Sequence, residues 1–282
     1  MPILDTHLHL VYPDQLSYPW LAGVPALDRP WSVESYFAEA EGLGITAALH
    51  MEVDVAEADQ EAETRLVTAL DPRLVGAVAS CRPEHEGFAA ALERLQAMPG
   101  VKGLRRILHE SPDALSTTAL FADNIRRLGP AGLPFDLCLQ ARQLPLGRAL
   151  AERCPDVAFV LDHCGNPPIS GGDFAAASGD LDAWRGDIVA IAALPNVSGK
   201  ISGIVTHAGP GWTADDLRPV VEHMIECFGW DRVVWGSDHP VATLAGTLTT
   251  WVEASREIVA GCSESEQARL FHVNAERIYR LG

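Results

Sequence analysis

Short apolar runs rich in Val, Ile, Leu and Ala recur along the chain, separated by amphipathic stretches. The runs fall near residues 2–8, 45–51, 74–79, 101–107, 134–139, 157–162, 197–202 and 232–237. Each has the length and composition of a buried strand. Helix-period stretches lie near 33–43, 55–70, 85–97, 118–128, 142–153, 181–193, 214–228 and 247–260, with a last one at 265–279. In 55–70, Ala56, Ala62, Leu66, Val67 and Leu70 can share one face, with the acids outside it. The last stretch carries Leu270, Val273, Ile278 and Tyr279. Alternating βα units predict a parallel sheet with right-handed crossovers. Eight of them predict a closed α/β barrel of the (β/α)8 type. An open doubly wound sheet would want a glycine-rich phosphate loop after the first strand. Here His9 is followed by Leu10-Val11-Tyr12-Pro13. No repeat or linker divides the chain, so residues 1–282 read as a single domain. Two loops are long. Residues 10–31 contain Tyr12, Tyr18, Trp20 and Trp31; residues 164–180 contain Asn166-Pro167-Pro168 and Gly171-Gly172. They follow strands 1 and 6, which puts both on the catalytic face as substrate lids or walls.

Polar residues at the carboxyl ends of barrel strands converge on one mouth. Strand 1 offers Asp5, His7 and His9 at alternate positions, which strand geometry points to one side. Two imidazoles at that spacing can hold one metal ion or one activated water. Strand 2 offers His50 or Glu52, strand 4 Arg105 or Arg106, strand 5 Gln140, strand 6 His163, strand 7 Lys200 or Ser202, and strand 8 Asp238. Arg105 shares a side with Gly103 and Ile107, so it is the arginine expected to face inward. His109 and His239 lie beside these ends. A barrel strand is apolar unless it feeds a site, so chargeable residues at the same place in successive units point to chemistry rather than packing. His85, His207, His223 and His272 fall in helices or loops and read as surface or packing residues. Asn274-Ala275 reads as a helix start and a docking terminus.

The totals narrow the function classes. The 282 residues carry a formal charge of −17, which argues against nucleic acid and anionic membranes as partners. The six cysteines form no CxxC pair and suit a reducing compartment. No basic, apolar leader opens the sequence, and no apolar run reaches the roughly 18 residues a membrane span needs. A soluble cytoplasmic protein is expected, with self-association left open.

Taken in order, Asp5-x-His7-x-His9, His163 after strand 6 and Gly236-Ser237-Asp238 after strand 8 resemble the amidohydrolase superfamily. The lactonase-like branch (L-fuconolactonase, L-rhamnonolactonase and pyrone-dicarboxylate lactonase) is the nearest likeness. Tyr18-Pro19-Trp20-Leu21, Gly103-Leu104-Arg105, Lys200-Ile201-Ser202-Gly203 and Asn274-Ala275-x-Arg277 are similar to that branch as well. The resemblance spans nearly the whole chain. It implies a distorted barrel and a hydrolase acting on a cyclic ester. It implies Asp238 as the acid/base that activates water, and His7, His9 and His163 as holders of the water, a metal or the carbonyl oxygen. It implies Arg105 as the group that meets an anionic or hydroxyl-rich part of the substrate. Two departures stand out: Gln140 sits where binuclear members need a bridging ligand, and His239 replaces a Trp common after the strand-8 Asp.

A mechanism follows from charge. The tetrahedral state of an opening lactone carries negative charge that His163, Arg105 or a zinc ion can stabilise, while Asp238 takes a proton from water and returns it to the leaving alkoxide. One divalent ion held by His7, His9 and Asp238 is expected, zinc by ligand type, and an activated ester also permits a metal-free route. Trp20, His50, His109, Gln140, Lys200 and His239 are the expected substrate contacts. A neutral sugar lactone is expected over a flat dicarboxylate, because each buried carboxylate must be paired with a cation and Arg105 is the main inward one. The alternatives are a decarboxylase of the same superfamily, which would want a His where Gln140 stands, and a non-catalytic barrel. An amidase or phosphoesterase would need two metals.

Overall fold

The computed structural model describes residues 1–169 and 180–281; Gly171-Gly172 of the second long loop lies outside the described residues. Eight parallel strands follow one another in chain order: β1 Ile3–Leu8, β2 Ile45–Met51, β3 Leu74–Ser80, β4 Val101–Ile107, β5 Phe135–Cys138, β6 Phe159–Leu161, β7 Val197–Ile201 and β8 Val233–Trp235. The principal helices alternate with them: α1 Val33–Glu39, α2 Gln60–Val67, α3 Phe88–Gln96, α4 Ala119–Arg126, α5 Leu144–Arg153, α6 Leu181–Ala192, α7 Ala214–Phe228 and α8 Leu248–Ile258. Just past β8 the chain meets β1. The Asp238 N–H donates to the His7 carbonyl at 2.9 Å, and the His9 N–H donates to the His239 carbonyl at 2.8 Å. Leu8 and His239 form a parallel bridge there, which brings the sheet round into a (β/α)8 barrel.

Strands β6 and β8 stop earlier than their apolar runs suggest. His163 and Asp238 adopt φ of 53° and 57°, a region that ends a strand and turns the next side chain. Non-glycine residues are held there only when their surroundings fix them, and such positions concentrate at functional sites.

Two apolar layers result. Inside the barrel floor, Leu4, Leu49, Met51, Val78, Val160 and Val234 pack around Tyr279 and Ala275. Outside, the larger layer joins the helices to the outward faces of the strands. The C-terminal helix is broken by a π turn over Arg269–Val273. The extra residue per turn shifts the helix phase, so Val273 is 48% exposed, while Leu270 and Phe271 are buried and Tyr279 plugs the floor. The apolar face expected for 55–70 also shifts. In α2 the buried residues are Glu63, Thr64 and Val67, and Ala62 is exposed. Glu63 is buried because it has partners: its Oε1 accepts the Val53 N–H at 2.9 Å and faces His50 Nε2 at 3.3 Å. No helix among the described residues is long and apolar enough to cross a membrane.

Loop 10–31 forms a packed wall. Val11 and Trp31 pair as a short antiparallel bridge. Val11, Leu16, Tyr18, Leu21, Leu27 and Trp31 share a small core with Val53 and Val55 after β2.

Candidate active site

Three donor atoms converge at the top of the barrel. His7 Nε2 lies 3.2 Å from His9 Nε2, and Asp238 Oδ1 lies 3.7 Å from the first and 3.5 Å from the second. The two histidines reach the same side because they alternate along β1. Asp5 does not join them. The register of β1 against β2 shifts between Asp5 and Leu8, and the Asp5 carboxylate accepts from Tyr36 Oη of α1 at 2.5 Å, the Ser237 N–H at 2.8 Å and the His7 N–H at 3.0 Å. Asp5 therefore ties β1 to α1 and to the Gly236-Ser237-Asp238 turn. Gly236 is needed for this approach: a Cβ there would sit 2.6 Å from His7 Cβ.

Each converging group has its state set by burial. Burial pulls His9 down to about 3 and His7 well below the usual histidine range, despite the pull of Asp162 on His7. Both are neutral imidazoles at neutral pH. His9 Nδ1 faces the Met51 carbonyl at 2.9 Å, an acceptor only, so Nδ1 carries the proton and Nε2 presents its lone pair. Burial pushes Asp238 up to about 6, against the opposing pull of His163 and Arg105. That value suits a group that must take and return a proton near neutrality. His163 packs against His7 with ring centroids 4.4 Å apart and the rings tilted by 50°. Its Nδ1 lies 3.0 Å from Ser202 Oγ, and burial pulls it down to about 4. Gly203 lies directly beneath it; a Cβ there would meet the ring at 2.3 Å.

Below these groups runs a chain of alternating charges that links five strands. Arg105 points inward, as the alternation in β4 predicts, and is 3% exposed. Its Nε donates to Glu52 Oε1 at 2.7 Å and its Nη2 to the Glu52 carbonyl at 2.7 Å. Its Nη1 lies 3.3 Å from Asp162 Oδ2 and 3.4 Å from His7 Nε2. Most of its donors are thus spent on the protein, and its field rather than a free fork reaches the site. Lys200 is fully buried between Asp136 at 2.5 Å and Asp162 at 2.8 Å. With no exposed surface it cannot be the substrate contact the sequence suggests. Tyr279 Oη closes the chain by donating to Asp136 at 2.7 Å.

Two further expected contacts lie elsewhere. His50 is 1% exposed and turned toward Glu63 in the helix layer, because the inward positions of β2 are its neighbours Leu49 and Met51. His239, 2% exposed, packs against Trp31 and Tyr36 and faces Glu39 of α1 at 3.3 Å. These contacts turn its side chain toward α1. Trp20, His109 and Gln140 remain half-buried. Trp20 Nε1 donates to the Val53 carbonyl at 2.8 Å, which anchors the first loop. His109 Nδ1 lies 3.1 Å from Cys138 Sγ. Gln140 lies beyond the end of β5, donates to the His109 carbonyl at 3.1 Å and accepts from Arg142 at 3.2 Å. Sequence reasoning named His163 but passed over its neighbour Asp162, the hub of the charged chain. It also missed Asp136. Both are acids inside otherwise apolar strand ends, the same signal that marked the other site residues.

A family model described as Amidohydrolase matches residues 4–281. The chain belongs to the amidohydrolase family. It is therefore a hydrolytic enzyme by descent, and its named relatives agree with that. It is 33% identical to an L-fucono-1,5-lactonase of Burkholderia ambifaria over 68% of this chain and 66% of that one. It is 30% identical to an L-fucono-1,5-lactonase of Burkholderia multivorans over 99% and 96%. A solved amidohydrolase of Burkholderia multivorans with bound zinc superposes over all of both chains with a TM-score of 0.87 at 26% identity.

The donor set of this amidohydrolase fits one such ion. Zinc bonds of about 2.0–2.1 Å in a tetrahedral site separate the ligand atoms by about 3.4 Å, and His7, His9 and Asp238 are spaced at 3.2, 3.7 and 3.5 Å. The charges agree. Around His7, the carboxylates of Asp5, Glu52, Asp136, Asp162 and Asp238 face two cations among the described residues, Arg105 and Lys200, which leaves an excess of negative charge. A second donor group, His7 with Asp162 and His163, shares the His7 ring, and its carboxylate is already paired twice. The spacing of His7, His9 and Asp238 would accommodate one divalent ion.

Proposed function

We propose that this chain opens a cyclic ester, with a neutral sugar (aldono) lactone as its substrate class. The convergence of His7, His9 and Asp238 on one point, in a chain whose named relatives are lactonases, carries the reading. A bound zinc ion would supply Lewis acidity toward the carbonyl or the attacking water.

The remaining chemistry belongs to the side chains. Asp238 accepts the proton of the attacking water and returns it to the ring oxygen as the ester bond breaks. His163, neutral and held by Ser202, offers Nε2–H to the developing oxyanion when the Ser202 hydroxyl donates to Nδ1. Arg105 adds positive field to the same place. Substrate charge follows from the cations: Arg105 and Lys200 are each engaged by two carboxylates, and the exposed Arg142 by Asp113 at 2.7 Å. A dianion would find none of these three free, whereas the half-buried His109 and Gln140 can offer polar contacts to hydroxyls. Inward from Gln140, β5 presents Cys138 and Asp136 and no histidine, which disfavours the decarboxylase alternative. The test is a pH-indicator screen of aldonolactones, with metal analysis of the same preparation and CO2 detection on aromatic acids. Acid release from a neutral lactone without CO2 is expected; CO2 release would replace this function with decarboxylation.

A further inference from the structure

Among the described residues Lys200 is the largest charged side chain that is fully buried, and the hydrolytic steps above do not use it. It projects from β7 into the barrel axis, beneath His7 and wholly out of contact with solvent. Its ammonium lies 2.5 Å from Asp136 Oδ2, 2.8 Å from Asp162 Oδ1 and 3.5 Å from His7 Nδ1. Asp162 in turn divides its carboxylate. Oδ1 faces Lys200 and His7 Nδ1, the latter at 3.5 Å, while Oδ2 faces Arg105 at 3.3 Å. Asp136 on β5 and Tyr279 at the C-terminus hold the far side of the ammonium.

A buried lysine is costly unless paired. Two carboxylates pair it here, although burial works against its charge, and the lysine stays protonated. A simpler floor was available, because the same barrel interior is filled with Leu, Val and Met at neighbouring positions. The placement instead joins the floor to the ring of His7 through a single carboxylate.

We propose that Lys200 is a positioning residue: by fixing Asp162 Oδ1 it holds the His7 ring and the Arg105 guanidinium in the arrangement that receives the metal ion. Partners behind a metal-binding histidine orient the ring, and their loss typically costs about 10–100-fold in metal affinity or activity. The inference rests on reading His7 as a metal-binding group, not on the identity of the substrate.

Lys200→Met strands two facing carboxylates and is expected to destabilise the fold. Lys200→Met combined with Asp136→Asn removes one charge of each sign and leaves Asp162 ionised beside Arg105, so it separates positioning from the burial of unpaired charge. The readout is zinc affinity of the folded apoprotein by chelator competition, alongside denaturant midpoints, kcat and KM. In both variants zinc affinity is expected to fall about 10–100-fold. The drop in kcat should match it, with KM nearly unchanged, and the double variant should recover much of the denaturant midpoint without recovering zinc affinity. A folded double variant with wild-type zinc affinity and kcat would overturn the proposal, leaving Lys200 a structural ion pair. Wild-type apoprotein that binds no zinc would overturn it too. Failure of the lactonase reading looks different: wild type would open no lactone, while zinc competition still decides the role of Lys200.

Discussion

Gly236→Ala tests whether the site depends on the close approach of β8 to β1. An alanine Cβ would lie 2.6 Å from His7 Cβ, 3.2 Å from the His7 nitrogen and 3.4 Å from its Cα. Ordinary carbon contacts need about 3.5–4.0 Å, so His7 must retreat by about 1 Å. The backbone of Gly236 is not in the left-handed region, so the effect is steric alone. Retreat is resisted on both sides, because Asp238 N–H holds the His7 carbonyl at 2.9 Å and Trp251 Nε1 holds the Gly236 carbonyl at 3.0 Å. Overpacking of this kind costs about 1–3 kcal/mol of stability, a drop in Tm of a few degrees for each kcal/mol in a domain of this size. The functional loss should be larger, since a displacement of about 1 Å at a reacting centre can cost about 10²-fold. The assay is kcat/KM on the best lactone of the panel, with zinc content and a thermal melt of the same sample. The expected pattern is a folded protein with kcat/KM down by about two orders of magnitude. Activity within a few-fold of wild type would show that His7 need not stand where the structure places it.

Other perturbations separate the remaining claims. His7→Ala and His9→Ala should each abolish tight divalent metal binding, and wild type should hold at most one ion per chain; elemental analysis finding two would contradict the single donor set. Ser202→Ala should lower kcat more than it raises KM, because it frees His163 Nδ1 from its partner at 3.0 Å; an unchanged kcat would remove His163 from oxyanion stabilisation. Asn274→Ala should cost about 1–3 kcal/mol by denaturant titration, since Asn274 Nδ2 satisfies the buried carbonyls of Trp230 and Val233 at 2.7 and 2.8 Å, and a neutral effect would show that water replaces it. At equal ionic strength, kcat/KM should favour neutral aldonolactones over pyrone dicarboxylate, and the reverse preference would overturn the charge argument while leaving lactone hydrolysis intact.

Much of this arrangement is legible in the amino-acid sequence, and what is not has local causes. The eight apolar runs locate the eight strands because a parallel barrel buries both faces of each strand. His7, His9, Arg105 and Asp238 are legible because a polar residue at a barrel strand's carboxyl end has few packing explanations. Asp5 misleads because alternation assumes a regular strand, and β1 shifts register after it. His50 and Lys200 show two further limits. A polar residue in a strand can face the helix layer, as His50 does toward Glu63. It can also point inward yet lie too deep to touch a substrate, as Lys200 does between Asp136 and Asp162. Depth along the barrel axis depends on strand stagger, which hydrophobic periodicity does not encode. Gln140 lies beyond the end of strand 5, because the run 134–139 continues one residue past Cys138, which ends the strand and borders His109. Val273 fell on the wrong face because a π turn leaves no simple compositional trace.

The account stands or falls on Asp238 and the lactone. The direct measurement is proton release from L-fucono-1,5-lactone and related neutral aldonolactones, by wild type and by Asp238→Asn, with zinc supplied and folding checked on both. Wild type should open at least one of these lactones, and the variant should be slower by about 10²–10⁴-fold. No acid release from any lactone, or a folded Asp238→Asn protein within a few-fold of wild type, would contradict it.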